Sequence, residues 1–316
     1  HRMTLLHEDA KYADVVEREM FNGALSGVAL DGEHYGYVNT LAGGGMRPPW
    51  QGCSCCPTNI ARFLTSIAGY AYATRDDALF VNHYMRSKAE LAVGGGKVAI
   101  AVDTDYPWDG AVACVLNMDK EAAFSMYLRI PAWCQGTNAP EDLYAFEGRP
   151  AEGAYSLTVN GDAVPPAALE RGYAVVRRTW RDGDTIRLDL PMPILRVKAR
   201  AEVKADQGRV ALQRGPIVYC FETCDNPRPI RCLALPPDAV FAPEMQPQLL
   251  GGVTVLQGDA LIRSAETNAT EHVQVTAVPY YAHANRDQGF MAVWLPENVA
   301  DTALAHPPTI ASESTP

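Results

Sequence analysis

After Gly69 the chain is built from short runs of β-branched, aromatic and aliphatic residues divided by turn signals, with no helical period between them. Clear runs are Ala78–Tyr84, Glu90–Val93, Lys97–Val102, Ala111–Asn117, Phe124–Ile130, Ser156–Val159, Tyr173–Arg177 and Thr185–Leu190. Arg209–Leu212, Ile217–Phe221, Val253–Leu256, His272–Ala277 and Met291–Leu295 continue the pattern. Asn160-Gly161 is a strong hairpin signal, and Asp182-Gly183-Asp184 marks another turn. Strands in succession without crossover helices predict sandwiches rather than a parallel βαβ sheet. The break at Pro191-Met192-Pro193 divides the strands into two units, of a size expected for domains of about 150 residues or fewer. The Pro-rich stretch from Asn226 to Pro247 is expected to be loop, and the tail from Asn298 to Pro316 to be poorly ordered.

The first 74 residues have a different character. Leu5, Leu6, Tyr12, Val15, Val16 and Met20 recur at helical spacing, Asp9 to Leu25 reads as an amphipathic helix, and Ser26-Gly27 is a plausible stop. A Gly- and Pro-rich loop leads to Cys53-Ser54-Cys55-Cys56-Pro57, after which Ile60, Phe63, Leu64 and Ile67 form a second apolar stripe ending near Gly69. The chain opens inside a helical period without an initiator Met, so it is expected to be the C-terminal part of a longer protein. Any signal peptide would lie beyond these residues.

The formal net charge is -10, and no Lys/Arg cluster stands out. A nucleic acid or an anionic membrane needs a basic face, so neither is an expected partner. No apolar run approaches the ~20 residues that span a bilayer. A small neutral substrate suits this balance.

Eight cysteines are present, three of them within four residues: Cys53, Cys55 and Cys56. Adjacent cysteines pair with one another only under strain. Clustered thiolates raise one another's pKa unless a cation is near, and a soft metal, zinc first, answers that problem. A structural zinc knuckle and plain reduced thiols are the bland alternatives. Cys224 and Cys232 are too remote to complete a finger. Reduced, metal-bound thiols point to the cytoplasm.

The run Gly52-Cys53-Ser54-Cys55-Cys56-Pro57-Thr58-Asn59-Ile60-Ala61-Arg62 resembles the signature of glycoside hydrolase family 127, the β-L-arabinofuranosidase family. Asp9-Ala10-Lys11-Tyr12-Ala13-Asp14-Val15 and Tyr37-Val38-Asn39 resemble its late barrel segments. Leu128-Arg129-Ile130-Pro131-Ala132-Trp133, Arg214-Gly215-Pro216-Ile217-Val218-Tyr219 and Pro279-Tyr280-Tyr281-Ala282-His283-Ala284-Asn285-Arg286 resemble its β-domains. The resemblance implies an α+β multidomain chain, with the C-terminal helices of an (α/α)6 barrel followed by two β-sandwich domains. The expected limits are 1–74 for the end of the catalytic barrel, 75–191 and 192–300 for the sandwiches, and 301–316 for a flexible tail. It implies a retaining glycosidase that releases terminal β-L-arabinofuranose, with Zn2+ held by one Glu and three Cys. Cys55 and Cys56 match two of those ligands, Cys55 also matches the nucleophile, and Tyr37 matches a substrate contact. The role of Cys53 is left open. The remaining Glu and Cys ligands and the acid/base Glu match positions upstream of His1, so the chain alone is expected to be inactive. The family's sandwiches can mediate a homodimer. A different class, a non-catalytic carbohydrate-binding sandwich protein with structural zinc, is the alternative.

Other polar residues are weighed against structural roles. His34, Trp50 and Gln51 could line a pocket, and Arg47 is expected to be a solvated loop arginine. Glu17 and Glu19 are expected to be structural. Glu222-Thr223-Cys224 has the Glu-x-Cys form but follows a sandwich strand, the wrong context for the family's ligand pair. His283, Asn285 and Arg286 read as turn chemistry, and Trp108, Trp133, Trp180 and Trp294 as sandwich core. Helices of an incomplete barrel would leave apolar faces uncovered and favour aggregation.

Overall fold

A computed structural model describes residues 1–49, 55–135, 143–151, 153–165, 168–226, 229–264 and 267–303. The protein is mostly β, with its helices confined almost entirely to the first 70 residues. Two sheets form the first β unit. One has six strands, in the order 162–163, 156–159, 185–189, 111–118, 96–104, 87–93. The other has four, in the order 173–180, 122–129, 78–81, 72–75. Alternation drives their stacking: Val98, Ile100 and Val102 of one sheet, and Phe124, Met126 and Leu128 of the other, point into one shared core. All pairings here are antiparallel except that of Ala78–Val81 with Ala122–Arg129, which is parallel. Asn160 and Gly161 both have positive φ, as a tight primed turn demands, and join Val159 to Asp162.

The second β unit is a ten-stranded sheet folded over at a hairpin. Arg209–Arg214 and Ile217–Glu222 pair only beside their turn, at Gln213↔Val218 and Arg214↔Ile217. The first arm then pairs with Ile194–Ala199 and Leu295–Pro296, and the second with Thr270–Pro279 and Phe290–Ala292. Val210 and Leu212 of one arm share a core with Tyr219, Phe221, Leu256 and Ala277 of the other layer.

Three expectations change. Phe241–Gln246, inside the supposed Pro-rich loop, is a strand at the edge of the sheet. Pro243 is tolerated there because an edge strand leaves one row of N–H groups unpaired. Tyr144–Glu147 lies in the first unit's stretch of sequence yet pairs with Ile194–Ala199 of the second. At the tail, Asn298 caps a turn over Val299–Asp301, and Ala303 N donates to Arg231 O at 3.0 Å. Residues 304–316 lie outside the described set.

The N-terminal segment bridges both β units. Helix α1 is Arg2–His7, and α2 is Ala10–Arg18, N-capped by Asp9, whose side chain accepts from Lys11 N. The path continues as a wide π-helical turn, Glu19–Ala24, and a tight one, Leu25–Gly27. Ala10 packs on the outer face of the four-stranded sheet, so closely that a Cβ at Gly172 would lie 2.6 Å from its methyl. Phe21 contacts both cores. Asn22 donates to Pro216 O and accepts from Val218 N, both at 2.8 Å, fastening the far end to the second unit.

The grip on the first unit is ionic. Arg129 is 0% exposed, donates to Asp14 at 2.6 Å, and pairs with Glu17 through both terminal nitrogens. Glu17 also accepts from Tyr106 OH at 2.5 Å and from Trp133 Nε1 at 3.2 Å. Burial works against the Arg129 charge, but Glu17 and Asp14 outweigh it and hold its pKa well above the ordinary value. Glu17 is thus structural, as expected. Trp133 and Trp180 are core residues.

Candidate functional site

Helix α3, Cys55–Ser66, carries Cys55 and Cys56 in its first turn. Asn59 and Thr58 side chains donate back to Cys55 O at 2.8 and 3.2 Å, securing that turn. Cys55 is exposed and Cys56 half-buried. Their sulfurs are 3.5 Å apart. Two thiolates on a tetrahedral zinc with bonds of about 2.3 Å sit about 3.8 Å apart, so the pair is nearly in bidentate spacing. Cys53, Trp50 and Gln51 lie outside the described residues.

Close backbone approach anchors α3. A Cβ at Gly27 would fall 2.5 Å from Ile60 Cδ1. Ile60 is four residues from Cys56 and shares its helix face. Gly36 N donates to Gly27 O at 3.0 Å, so the loop entering Tyr37 leaves from this same contact. Tyr37 is 66% exposed and borders a cleft of about 160 Å³. Met46, Arg47, Glu222, His283 and Met291 also line it; Cys55 and Cys56 do not.

Arg47 overturns its expectation. It is 5% exposed, and its guanidinium donates to three carbonyls: Ser26 O, His283 O at 3.0 Å and Tyr281 O at 2.8 Å. Burial lowers its pKa from the ordinary arginine value. It ties the end of the helical path, the Tyr37 loop and the Pro279–Arg286 turn into one knot, reinforced where Ala42–Gly44 pairs with Phe290–Ala292. His34 is paired with Asp31 at 2.7 Å in a turn and does not line the cleft. Asn285 accepts from Leu30 N at 2.8 Å, so its cluster also contacts the helical segment.

Sequence reasoning placed Glu222 and His283 outside the site, yet both border the cleft beside Tyr37. Glu222, Cys224 and Asp225 offer ligand atoms within 4.8 Å of one another. Arg286 already sits among them, 2.8 Å from Glu222 and 2.5 Å from Asp225. Burial, then the Asp225 and Glu222 charges, push the Cys224 thiol up to about 11. The group therefore holds a guanidinium and a protonated thiol, in keeping with a structural role. Burial likewise pushes Cys114 and Cys134 up to about 12, leaving them inert core thiols.

Three family models match successive segments. They are the β-L-arabinofuranosidase GH127 catalytic domain over residues 1–69, the GH127 middle domain over 78–192, and the glycoside hydrolase family 127 C-terminal domain over 194–296. The chain belongs to glycoside hydrolase family 127. This family 127 chain is 34% identical over 328 residues to the non-reducing end β-L-arabinofuranosidase of Bifidobacterium longum subsp. longum, covering 93% of the chain and 46% of that relative. It superposes on a solved GH127 β-arabinofuranosidase with a TM-score of 0.91 and 40% identity, over 97% of this chain and 48% of that one. A GH127 β-L-arabinofuranosidase from Geobacillus stearothermophilus T6 gives 0.85 and 39%, over 94% and 48%. The chain spans about half the length of these relatives. The family motifs coincide with the grips: Arg129 and Trp133 hold α2, Pro216 and Val218 hold Asn22, and Tyr281 and His283 hold Arg47.

Proposed function

We propose that this chain is the cysteine-bearing part of a retaining glycosidase that releases terminal β-L-arabinofuranosyl units. Its helices would complete an (α/α)6 barrel. The observation that carries the proposal is an exposed Cys55 beside Cys56, 3.5 Å apart in the first turn of a helix, in a family 127 chain. Zinc, when bound, would keep both thiols deprotonated. Cys55 sulfur attacks the anomeric carbon as the glycosidic C–O bond breaks, and the departing oxygen takes a proton from a carboxylic acid. Water then displaces the sulfur, giving its proton to the same carboxylate, so two inversions yield net retention. Tyr37 contacts the substrate, and Cys56 stays a ligand. The acid/base carboxyl and the other metal ligands are assigned to residues outside these 316. Clustered thiols of this kind persist in a reducing compartment, which favours the cytoplasm.

The test is hydrolysis of a chromogenic β-L-arabinofuranoside by the complete gene product. Cys55→Ala is expected to abolish turnover, and mass spectrometry of the quenched wild type to show a pentosyl adduct on Cys55. Unchanged hydrolysis by the variant sinks the nucleophile assignment. Turnover by residues 1–316 alone sinks the placement of the acid/base.

A further inference from the structure

The cleft beside Tyr37 is walled on its far side by the C-terminal sheet unit, and that wall has the chemistry of a sugar contact. Its volume of about 160 Å³ leaves room for a ligand the size of a sugar ring. The Tyr37 ring, Met46 and Met291 offer apolar surface for the C–H face of a ring. His283 offers an acceptor. Its Nδ1 lies 2.6 Å from Tyr280 O, so Nδ1 carries the proton, and Nε2 keeps a lone pair for a hydroxyl. Burial holds the ring neutral by lowering its pKa.

The charged groups of the wall are already committed. Arg47 donates to three carbonyls, and the Glu222 carboxylate accepts from Arg286 and from Ala284 N at 2.8 Å each. A neutral ligand is therefore favoured over an ion. Cys55 and Cys56 do not line the cleft, so a ring seated there is not the one whose anomeric carbon meets sulfur. A terminal unit has one neighbour in a glycan, the residue it is released from.

We propose that this cleft is the subsite for that leaving-group sugar, with His283 and Met46 as its specificity-determining residues. The proposal rests on the arabinofuranosidase function proposed above. Two variants probe it. His283→Phe keeps an aromatic ring over Tyr280 and removes the Nε2 acceptor. Met46→Trp fills the cleft from a position that is 56% exposed, where folding tolerates bulk. The complete gene product, made non-hydrolysing by Cys55→Ala, is titrated calorimetrically with a β-L-arabinofuranosyl disaccharide and with methyl β-L-arabinofuranoside. Each variant is expected to bind the disaccharide at least about tenfold more weakly and the methyl glycoside unchanged, since a lost hydrogen bond or a blocked ring is worth that much. In the complete gene product, KM for the disaccharide is expected to rise likewise, with the kinetics toward methyl β-L-arabinofuranoside, whose methyl aglycone does not fill the cleft, unaltered. Equal weakening toward both ligands, no effect in either variant, or no binding of the disaccharide by the parent Cys55→Ala protein overturns the subsite. If the disaccharide pattern holds while the complete product hydrolyses neither substrate, the subsite stands and the enzymatic function fails. If hydrolysis occurs and neither variant shifts the disaccharide KM, the subsite alone fails.

Discussion

Asp14 and Glu17 share one buried guanidinium, and the two carboxylates are expected to respond oppositely to removal of their charge. Burial first, opposed by Arg129 and aided by Glu17, raises Asp14 from 3.8 to about 6. A carboxyl that titrates higher in the folded state binds its proton more tightly there. The stability this confers is fully present below about pH 3.8 and is lost as pH rises through about 6. Titration near 6 in place of 3.8 corresponds to at most about 3 kcal/mol. Asp14→Asn keeps an oxygen able to accept from Arg129 and from Ala132 N, now at 2.6 and 3.2 Å, without the charge. It is expected to leave stability unchanged at pH 4 and raise it by up to about 3 kcal/mol at pH 7.5. Glu17→Gln is different, because both Glu17 oxygens accept hydrogen bonds, from Tyr106, Trp133 and Arg129. An amide N–H₂ would face donors, at a cost of about 3–5 kcal/mol. Urea unfolding followed by tryptophan fluorescence at both pH values measures the contrast. Destabilisation of Asp14→Asn by 1 kcal/mol or more at pH 7.5, on the order of one hydrogen bond, would refute the reasoning.

Arg47→Met removes the donor from three carbonyls and is expected to destabilise the chain by about 3 kcal/mol, with faster proteolysis within 28–49 as the readout. Arg47→Lys should recover little, since a point charge cannot reach three spread acceptors. Gly110→Ala would place a Cβ 1.8 Å from Leu190 O, a backbone clash, so the melting temperature of the first β unit should fall by several degrees or soluble expression be lost.

Local chemistry was legible in the sequence where a residue acts on its chain neighbours. The Asn160-Gly161 turn, the helix that sets in after Asp9 and the alternating strands 96–104 and 111–118 were of this kind. The strands at 144–147 and 241–246 were missed because their partners are distant in sequence and Pro243 reads as a breaker. Cys55 and Cys56 announced themselves through proximity. Arg47 did not, because the groups compensating its burial are backbone carbonyls, which leave no side-chain pattern. Glu222 and His283 reach the Tyr37 cleft only through the pairing of Ala42–Gly44 with Phe290–Ala292 and the Arg47 knot.

That knot also sets an order of events during synthesis. Arg47 meets His283, 236 residues further along the chain. At about 5–20 residues per second, a ribosome needs on the order of ten to fifty seconds to cover that distance. Throughout that interval the nascent thiols of Cys55 and Cys56 lack the tertiary support they later have and stay open to oxidants. Keeping them reduced is therefore a demand on the whole course of synthesis, and a strain poor at keeping nascent thiols reduced should yield chains oxidised at this pair.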